Sequence, residues 1–291
     1  MIKPPRSYET PGSLRQALES RINARATTQA ELQRLRRLVA FDRLLARLFA
    51  DQSSSWIVKG GYGLEVRYGI KARTTKDVDL ALPDFGPQAD NPDDIIQKLW
   101  DELQEAAARD IGDHFVINIA APRQEFDAPP GGGARFPVEV LLDRRVFAKF
   151  HLDVGIGDII SEEPEWTNGE DYLSFAGIPP ARFRIIPVAQ QFAEKVHSYT
   201  LPRAGGLNSR VKDLVDLILI LDEGPPAPES VKSAIEATFQ RRATHDMPSS
   251  FSAAPMTWAS SYTAMARDLN LTQTTIESAV SRLDSYWKTI F

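Results

Sequence analysis

The chain has 291 residues, 43% of them hydrophobic and 25% charged, which fits two modest globular domains or one large one and excludes disordered, fibrous and collagen-like chains. Its formal charge of −5 argues against a surface coated with basic residues for bulk nucleic-acid binding and leaves room for a local basic patch. The absence of cysteine removes disulfide scaffolds, thiolate zinc sites, Cys nucleophiles and iron–sulfur clusters together.

Met1 to Gly12 carries Pro4, Pro5 and Pro11 with Lys3, Arg6 and Glu9, and lacks the apolar run of a signal peptide. No stretch reaches the roughly 18 apolar residues that span a bilayer, so a cytoplasmic protein with no membrane partner is expected. Ser13 to Ala50 predicts helices, the second opened by the capping-box pattern Thr28-Gln29-Ala30-Glu31. Leu32, Leu35, Leu38, Val39, Phe41, Leu45, Leu48 and Phe49 recur at helical spacing and give it one apolar face. Arg34, Arg36, Arg37, Arg43 and Arg47 occupy most of the remainder, either as a solvated face or as contacts to phosphates.

From Trp56 the pattern changes to short β-like runs: Trp56 to Val58, Val78 to Leu82, Phe115 to Ile119, Val138 to Leu142 and Val146 to Val154. Helical pieces intervene at Gly63 to Tyr68 and Asp93 to Ala108. Asp127 to Arg135, with Pro129-Pro130-Gly131-Gly132-Gly133, reads as a connection between strands. After Ile178-Pro179-Pro180 the periodicity is helical again, over Val188 to Tyr199, Ser209 to Leu221, Pro228 to Arg241 and Thr274 to Ile290, the last with Thr274 and Glu277 as a capping box. The expected fold is α+β (α/β): a sheet domain with N-terminal helices over residues 1–180, then a helical domain over 181–291.

The chemistry is concentrated in Lys59-Gly60-Gly61-Tyr62-Gly63 and Arg73-Thr74-Thr75-Lys76-Asp77-Val78-Asp79. Asp77 and Asp79 are two apart in an apolar run, so on a strand both carboxylates point to one face. Carboxylates so close repel each other unless a cation lies between them, and Mg²⁺ takes one or two carboxylates together with substrate phosphates. The Gly60-Gly61 turn between a strand and a helix offers free backbone N–H groups where a triphosphate can approach. Lys59, at the end of its strand, reaches either a phosphate or solvent. His114, His151, His197 and His245 show no metal-ligand spacing, and serine-hydrolase, P-loop and dinucleotide-fold signatures are absent.

Strand, Gly-Gly, helix, then a strand carrying Asp-x-Asp resembles the DNA polymerase β-like nucleotidyltransferases. The closer resemblance is to the AbiEii (MenT-type) nucleotidyltransferase toxins, through Lys59-Gly60-Gly61, Arg73 to Asp79, the helix Gln191 to Tyr199 with Lys195, and Lys212-Asp213-Leu214-Val215-Asp216-Leu217. The resemblance implies a nucleotidyltransferase-type mixed sheet flanked by helices and a helical C-terminal domain. It also implies that two Mg²⁺ ions and an NTP are used, that an RNA, the tRNA 3′ end, is the acceptor, and that a cognate antitoxin is the partner. Nucleotides added there would block aminoacylation and translation.

On that resemblance Asp77 and Asp79 hold metal, with a third carboxylate from Asp153; Glu139 and Asp158 are the alternatives. Lys195 and Lys212 bring ammonium charge to the triphosphate, Asp216 joins Lys195 in the catalytic set, and Asp213 binds nucleotide or orients a lysine. On a generic helix Lys212 and Asp216 would instead be an i, i+4 ion pair. Arg73 and Lys76 bind phosphate or hold Asp77, and Thr75 occupies a position where phosphorylation silences some related toxins. Arg182, Arg184, Arg203, Arg210, Arg241 and Arg242, with arginines of the early helix, could form a basic face for the acceptor stem. A non-catalytic RNA- or partner-binding module and a phosphoryl transferase acting on protein are the competing readings.

Overall fold

The computed structural model describes residues 8–51, 53–83, 92–122, 124–125, 132–202, 210–251 and 254–291. Two helices lead, α1 (Pro11–Arg25) and α2 (Gln29–Leu48). The Thr28 hydroxyl accepts the Glu31 N–H at 3.1 Å, while the Glu31 carboxylate accepts the backbone N–H and hydroxyl of Thr27, both at 2.8 Å. The N-terminal donors of α2 are thus satisfied reciprocally, with the return contact one residue earlier than the capping-box pattern implies.

The strands are β1 (Ile57–Lys59), β2 (Asp77–Leu82), β3 (Phe115–Ile119), β4 (Gln124–Glu125), β5 (Gly133–Leu142), β6 (Arg145–Ile156), β7 (Glu165–Asn168) and β8 (Arg182–Ile185), with α3 (Gly60–Tyr68) after β1 and α4 (Pro92–Ala107) after β2. They form one mixed sheet in the order β3-β5-β6-β2-β1-β8-β7, with β4 beside β5. β2 runs parallel to β6 and antiparallel to β1, while β1 runs parallel to β8. The β5–β6 hairpin turns through Asp143 (φ 53) and Arg144 (φ 57), the doubly left-handed turn that matches strand twist. Gly133 to Arg135, expected in a connection, already belong to β5; residues 127–131 of that connection lie outside the described residues.

Alternation in the strands separates two faces. Val78, Leu80, Phe136, Val138, Leu152 and Val154 are buried under α1, α2 and α4, packed with Leu14, Phe41, Leu45, Leu99 and Leu103, so Asp77 and Asp79 project from the opposite face. Burial of that layer is the main source of stability. Two arginines of α2 lie inside it: Arg43 and Arg47 are 1% and 2% exposed. Arg47 pairs with Asp113 at 2.7 Å and Arg43 with the neighbouring Asp42, which also accepts the Ala181 N–H at 2.8 Å. These two arginines therefore form neither a solvated face nor a phosphate site; they join α2 to β3 and to the segment entering β8.

The helical half comprises α5 (Val188–Thr200), α6 (Val211–Glu223), α7 (Pro228–Arg242), α8 (Ala259–Asp268) and α9 (Ile276–Trp287). It has its own core around Phe192, Leu217, Ile235, Tyr262, Leu283 and Trp287, to which Leu64 and Ala72 from the sheet side contribute. The N-cap of α9 is Thr275, which accepts the Ser278 N–H, rather than Thr274. The expected boundary at residue 180 falls just before β8, which pairs with β1 on one side and β7 on the other and so belongs to the sheet. No helix among the described residues is long and apolar enough to cross a membrane.

Candidate active site

The chain passes from β1 into α3 without a linker because Gly60 adopts φ +63, a conformation strained for any residue with a Cβ. A Cβ there would also overlap the Asp79 carboxylate, which packs on the Gly60 backbone. At Gly61 a Cβ would sit 3.0 Å from the Thr75 hydroxyl oxygen. The turn is pinned from the helical half by Gln191, whose Nε2 donates to the Gly60 carbonyl at 2.7 Å. The first turn of α3 thus lies beside Asp79, with its backbone donors at the positive end of the helix.

Asp77 and Asp79 lie on one face of β2, and the parallel register sets Asp77 beside His151 and Asp79 beside Asp153. Three carboxylates from two strands therefore share one side of the sheet. Burial, reinforced by the charges of Asp153 and Asp77 and only partly offset by Lys59 and Lys195, raises the Asp79 pKa to about 6. Asp153 is held by Arg135, directly across β5, through a bidentate pair of 2.8 and 2.6 Å. Asp77 lies 3.3 Å from the His151 Nδ1. Among the described residues no three His, Cys, Asp or Glu side chains converge into a finished metal cage as they stand. The donor set nevertheless suits a hard cation: it is all oxygen, on one face, and carries a carboxylate whose raised pKa a neighbouring cation would relieve.

A second charged group crosses from the helical half. Asp216, on α6 and 0% exposed, accepts both Arg73 Nε and Nη2 at 2.9 Å and lies 2.7 Å from Lys195 Nζ. Lys195, on α5, also reaches Asp213 at 3.0 Å. Burial opposes the charges of Asp216 and Lys195, yet Lys195 and Arg73 lower the Asp216 pKa while Asp216 and Asp213 raise that of Lys195, so Asp216 and Lys195 stay ionised. The helix motif and the Arg73 segment, far apart in sequence, are thereby brought into one cluster. Thr75 is 8% exposed and its hydroxyl donates to the Asp77 carbonyl at 3.2 Å. That contact fixes the loop before β2 and keeps the hydroxyl inside the protein.

Several positions differ from expectation. Lys59 neither snorkels nor stands free for phosphate: it pairs with Asp158 and lies 3.6 Å from Glu194. Burial disfavours its charge, but these two carboxylates hold its pKa above the usual value. Asp158, an alternative third carboxylate, is the anchor of Lys59 and Arg242, and Glu139 pairs with Lys149 at 2.7 Å. Lys212 is exposed in the first turn of α6, and its ion pair with Asp216 is not formed, because Asp216 faces Arg73 and Lys195. Lys76 is exposed on the Asp77 side, away from the Gly60-Gly61 turn. Of the later arginines expected to form a basic face, Arg184 and Arg241 line one cavity and Arg210 and Arg242 another, Arg182 covers the Trp166 ring at 5.0 Å, and Arg203 lies outside the described residues. Arg135 and Glu194 carried no signal in the sequence, and Arg242 was expected only in a basic face, because strand register and helix packing alone bring them to the site.

A mixed sheet with an Asp-x-Asp strand beside a Gly-Gly helix start has the architecture of a nucleotidyltransferase. Its fold is similar to that of MenT4, nucleotidyltransferase toxin Rv2826c from Mycobacterium tuberculosis H37Rv, with a TM-score of 0.59 and 14% identity over 95% of this chain and 89% of that one. An antigenic nucleotidyltransferase-like protein from Paracoccidioides brasiliensis aligns with a TM-score of 0.39 and 15% identity over 71% of this chain and 88% of that one. Residues 43–288 match the family described as "Nucleotidyl transferase AbiEii toxin, Type IV TA system", and the chain belongs to that family. No curated protein matches it in sequence. The family resemblance carried by the four motifs is borne out.

Proposed function

We propose that this toxin transfers a nucleoside monophosphate from an NTP to the 3′ end of an RNA, with tRNA as the acceptor, in the cytoplasm and under the control of a cognate antitoxin protein. The observation that carries this reading is the parallel register of β2 and β6, which puts Asp79 beside Asp153 at the start of α3. Asp77, Asp79 and Asp153 are the residues that would hold Mg²⁺, which when bound supplies charge neutralisation for the attacking and leaving oxygens.

The chain's own part is binding and orientation. Backbone N–H groups at Gly60 and Gly61 donate to the triphosphate, and the guanidinium of Arg73 and ammonium of Lys195 add positive charge beside it. Asp216 acts as a positioning residue, holding both cations through contacts of 2.7 and 2.9 Å, and Asp213 orients Lys195 from the other side. An acceptor hydroxyl attacks the α-phosphorus, the bond to the β-phosphate oxygen breaks, and pyrophosphate leaves. Lys76 serves the Asp77 side, while Lys59 stiffens the strand end through Asp158.

The test is incubation of purified protein with total tRNA, Mg²⁺ and each α-³²P-NTP in turn, beside Asp79→Asn. Label entering tRNA with wild type and lost in the variant supports the reading. Label from γ-³²P-NTP appearing in protein instead would replace it with phosphoryl transfer.

A further inference from the structure

Two cavities flank the carboxylates, one at Asp79 and Asp153 and the other at Asp77. One, of about 350 Å³, lies between the sheet and the helical half and is lined by Lys59, Asp79, Asp153, His197, Arg210 and Arg242. The other, of about 790 Å³, begins at Asp77 and spreads over the open face of β6, β5 and β3, past His151, Pro137 and Asn118. Arg37 and Lys76 stand on its wall, with the Lys149–Glu139 pair farther along.

Arg37 is the exception among the α2 arginines expected to be solvated or to contact phosphate. Arg34 is paired with Glu65, Arg36 with Glu19, Arg43 with Asp42, and Arg47 with Asp113. Among the described residues Arg37 has no carboxylate within ion-pair distance, and its Nε is buried without a hydrogen-bond partner. Its guanidinium stands on the cavity wall without a counterion among those residues, and a phosphodiester oxygen in the cavity would supply one. Lys76, exposed and likewise unpaired among the described residues, adds a second cation across the same space.

The charge density distinguishes this cavity from its neighbour. A triphosphate concentrates its charge and suits the Gly60-Gly61 turn, Arg73 and Lys195. Two separated unpaired cations beside a wide floor formed by Asn118, Pro137 and His151 suit the singly charged, spaced phosphates and flat bases of a strand end. We infer that the cavity over β6, β5 and β3 receives the 3′-terminal nucleotides of the acceptor RNA, with Arg37 and Lys76 on its phosphodiester backbone, so that the terminal hydroxyl arrives at the carboxylates from the Asp77 side. This inference rests on the proposed RNA acceptor.

The experiment measures binding of a fluorescein-labelled single-stranded RNA with a free 3′ hydroxyl, and of a fluorescent ATP analogue, to the full chain at several salt concentrations. The proteins are wild type, Arg37→Gln, Arg37→Gln/Lys76→Gln and the exposed control Lys232→Gln, each checked for unchanged melting. Each lost phosphate contact is expected to weaken RNA binding severalfold. The double variant should bind RNA about tenfold more weakly, with the slope of log K against log salt shallower by roughly 1.4, while Arg37→Gln should bind the nucleotide as wild type does. Unchanged RNA affinity in a wild type that labels tRNA would overturn this inference and leave the reaction standing. Weakened nucleotide binding with RNA binding intact would overturn it in favour of a nucleotide cavity. A folded wild type that neither binds nor labels any RNA would overturn the acceptor and this inference together.

Discussion

Replacing Asp79 by Asn should stabilise the metal-free protein while abolishing nucleotidyl transfer. Asp79 has a folded-state pKa of about 6 against 3.8 for an ordinary aspartate, through burial first and then the Asp153 charge. The folded state therefore prefers the protonated form, and ionisation weakens the fold progressively as pH rises from about 4 through about 6, the full penalty standing above pH 7. At about 1.4 kcal/mol per pKa unit the ceiling is roughly 3 kcal/mol. The carboxylate is only half-buried, and Asn gives up attraction to Lys59 and Lys195, so a gain of roughly 1–3 kcal/mol is expected at pH 7.5. The assay is urea unfolding of wild type and Asp79→Asn in EDTA at pH 7.5 and pH 4.5, comparing differences so that other titrating groups cancel. The gain should shrink toward zero at the lower pH. A variant less stable than wild type at pH 7.5, or a difference independent of pH, would refute the electrostatic account of the carboxylate cluster.

Three further outcomes are expected. Gly60→Ala combines a left-handed backbone with a Cβ overlapping Asp79, and should lose about 1–3 kcal/mol in chemical denaturation together with all labelling of tRNA. Asp216→Ala leaves Arg73 and Lys195 without their buried counterion and should lose roughly 3–5 kcal/mol, seen as a lower melting temperature; an unchanged melt would mean the cluster is not formed. His197, whose pKa is pushed down to about 3 by burial and by the charges of Arg242 and His245, should show no imidazole titration by NMR between pH 5 and 8. Because the unfolded chain binds that proton first, His197 favours folding above about pH 6.5 and loses that contribution as pH falls, opposite in sign to Asp79.

What was legible in the sequence was what local periodicity encodes. The two-residue repeat of β2 put Asp77 and Asp79 on one face, and the Gly60-Gly61 pair marked the abrupt strand-to-helix turn. Asp153 stood out as a charge in an apolar run, and the parallel register placed it beside Asp79. The fates of charged side chains with distant partners were illegible. Arg47 and Asp113 are 66 residues apart and Lys59 and Asp158 are 99 apart; without the fold, a buried arginine and a solvated one have the same spacing. β8 was missed because four residues, two of them arginines, look like polar surface until β1 supplies the parallel partner. Lys212 shows the converse case: the turn that buries Asp213 and Asp216 leaves the lysine exposed, so the i, i+4 ion pair its spacing allowed is not formed.

The contact between Arg73 and Asp216 spans 143 residues, and the Asp79–Asp153 pairing requires a parallel crossover, the kind of long-range closure that forms slowly. A ribosome must therefore have released the whole sheet and two helices of the second half before Arg73 and Lys195 acquire their counterion. Truncated or half-made copies hold the Asp-x-Asp strand yet lack the group that aims Arg73 and Lys195. For a cell that encodes its own toxin, the interval between translation of β2 and docking of α6 is time in which an antitoxin made alongside can accumulate.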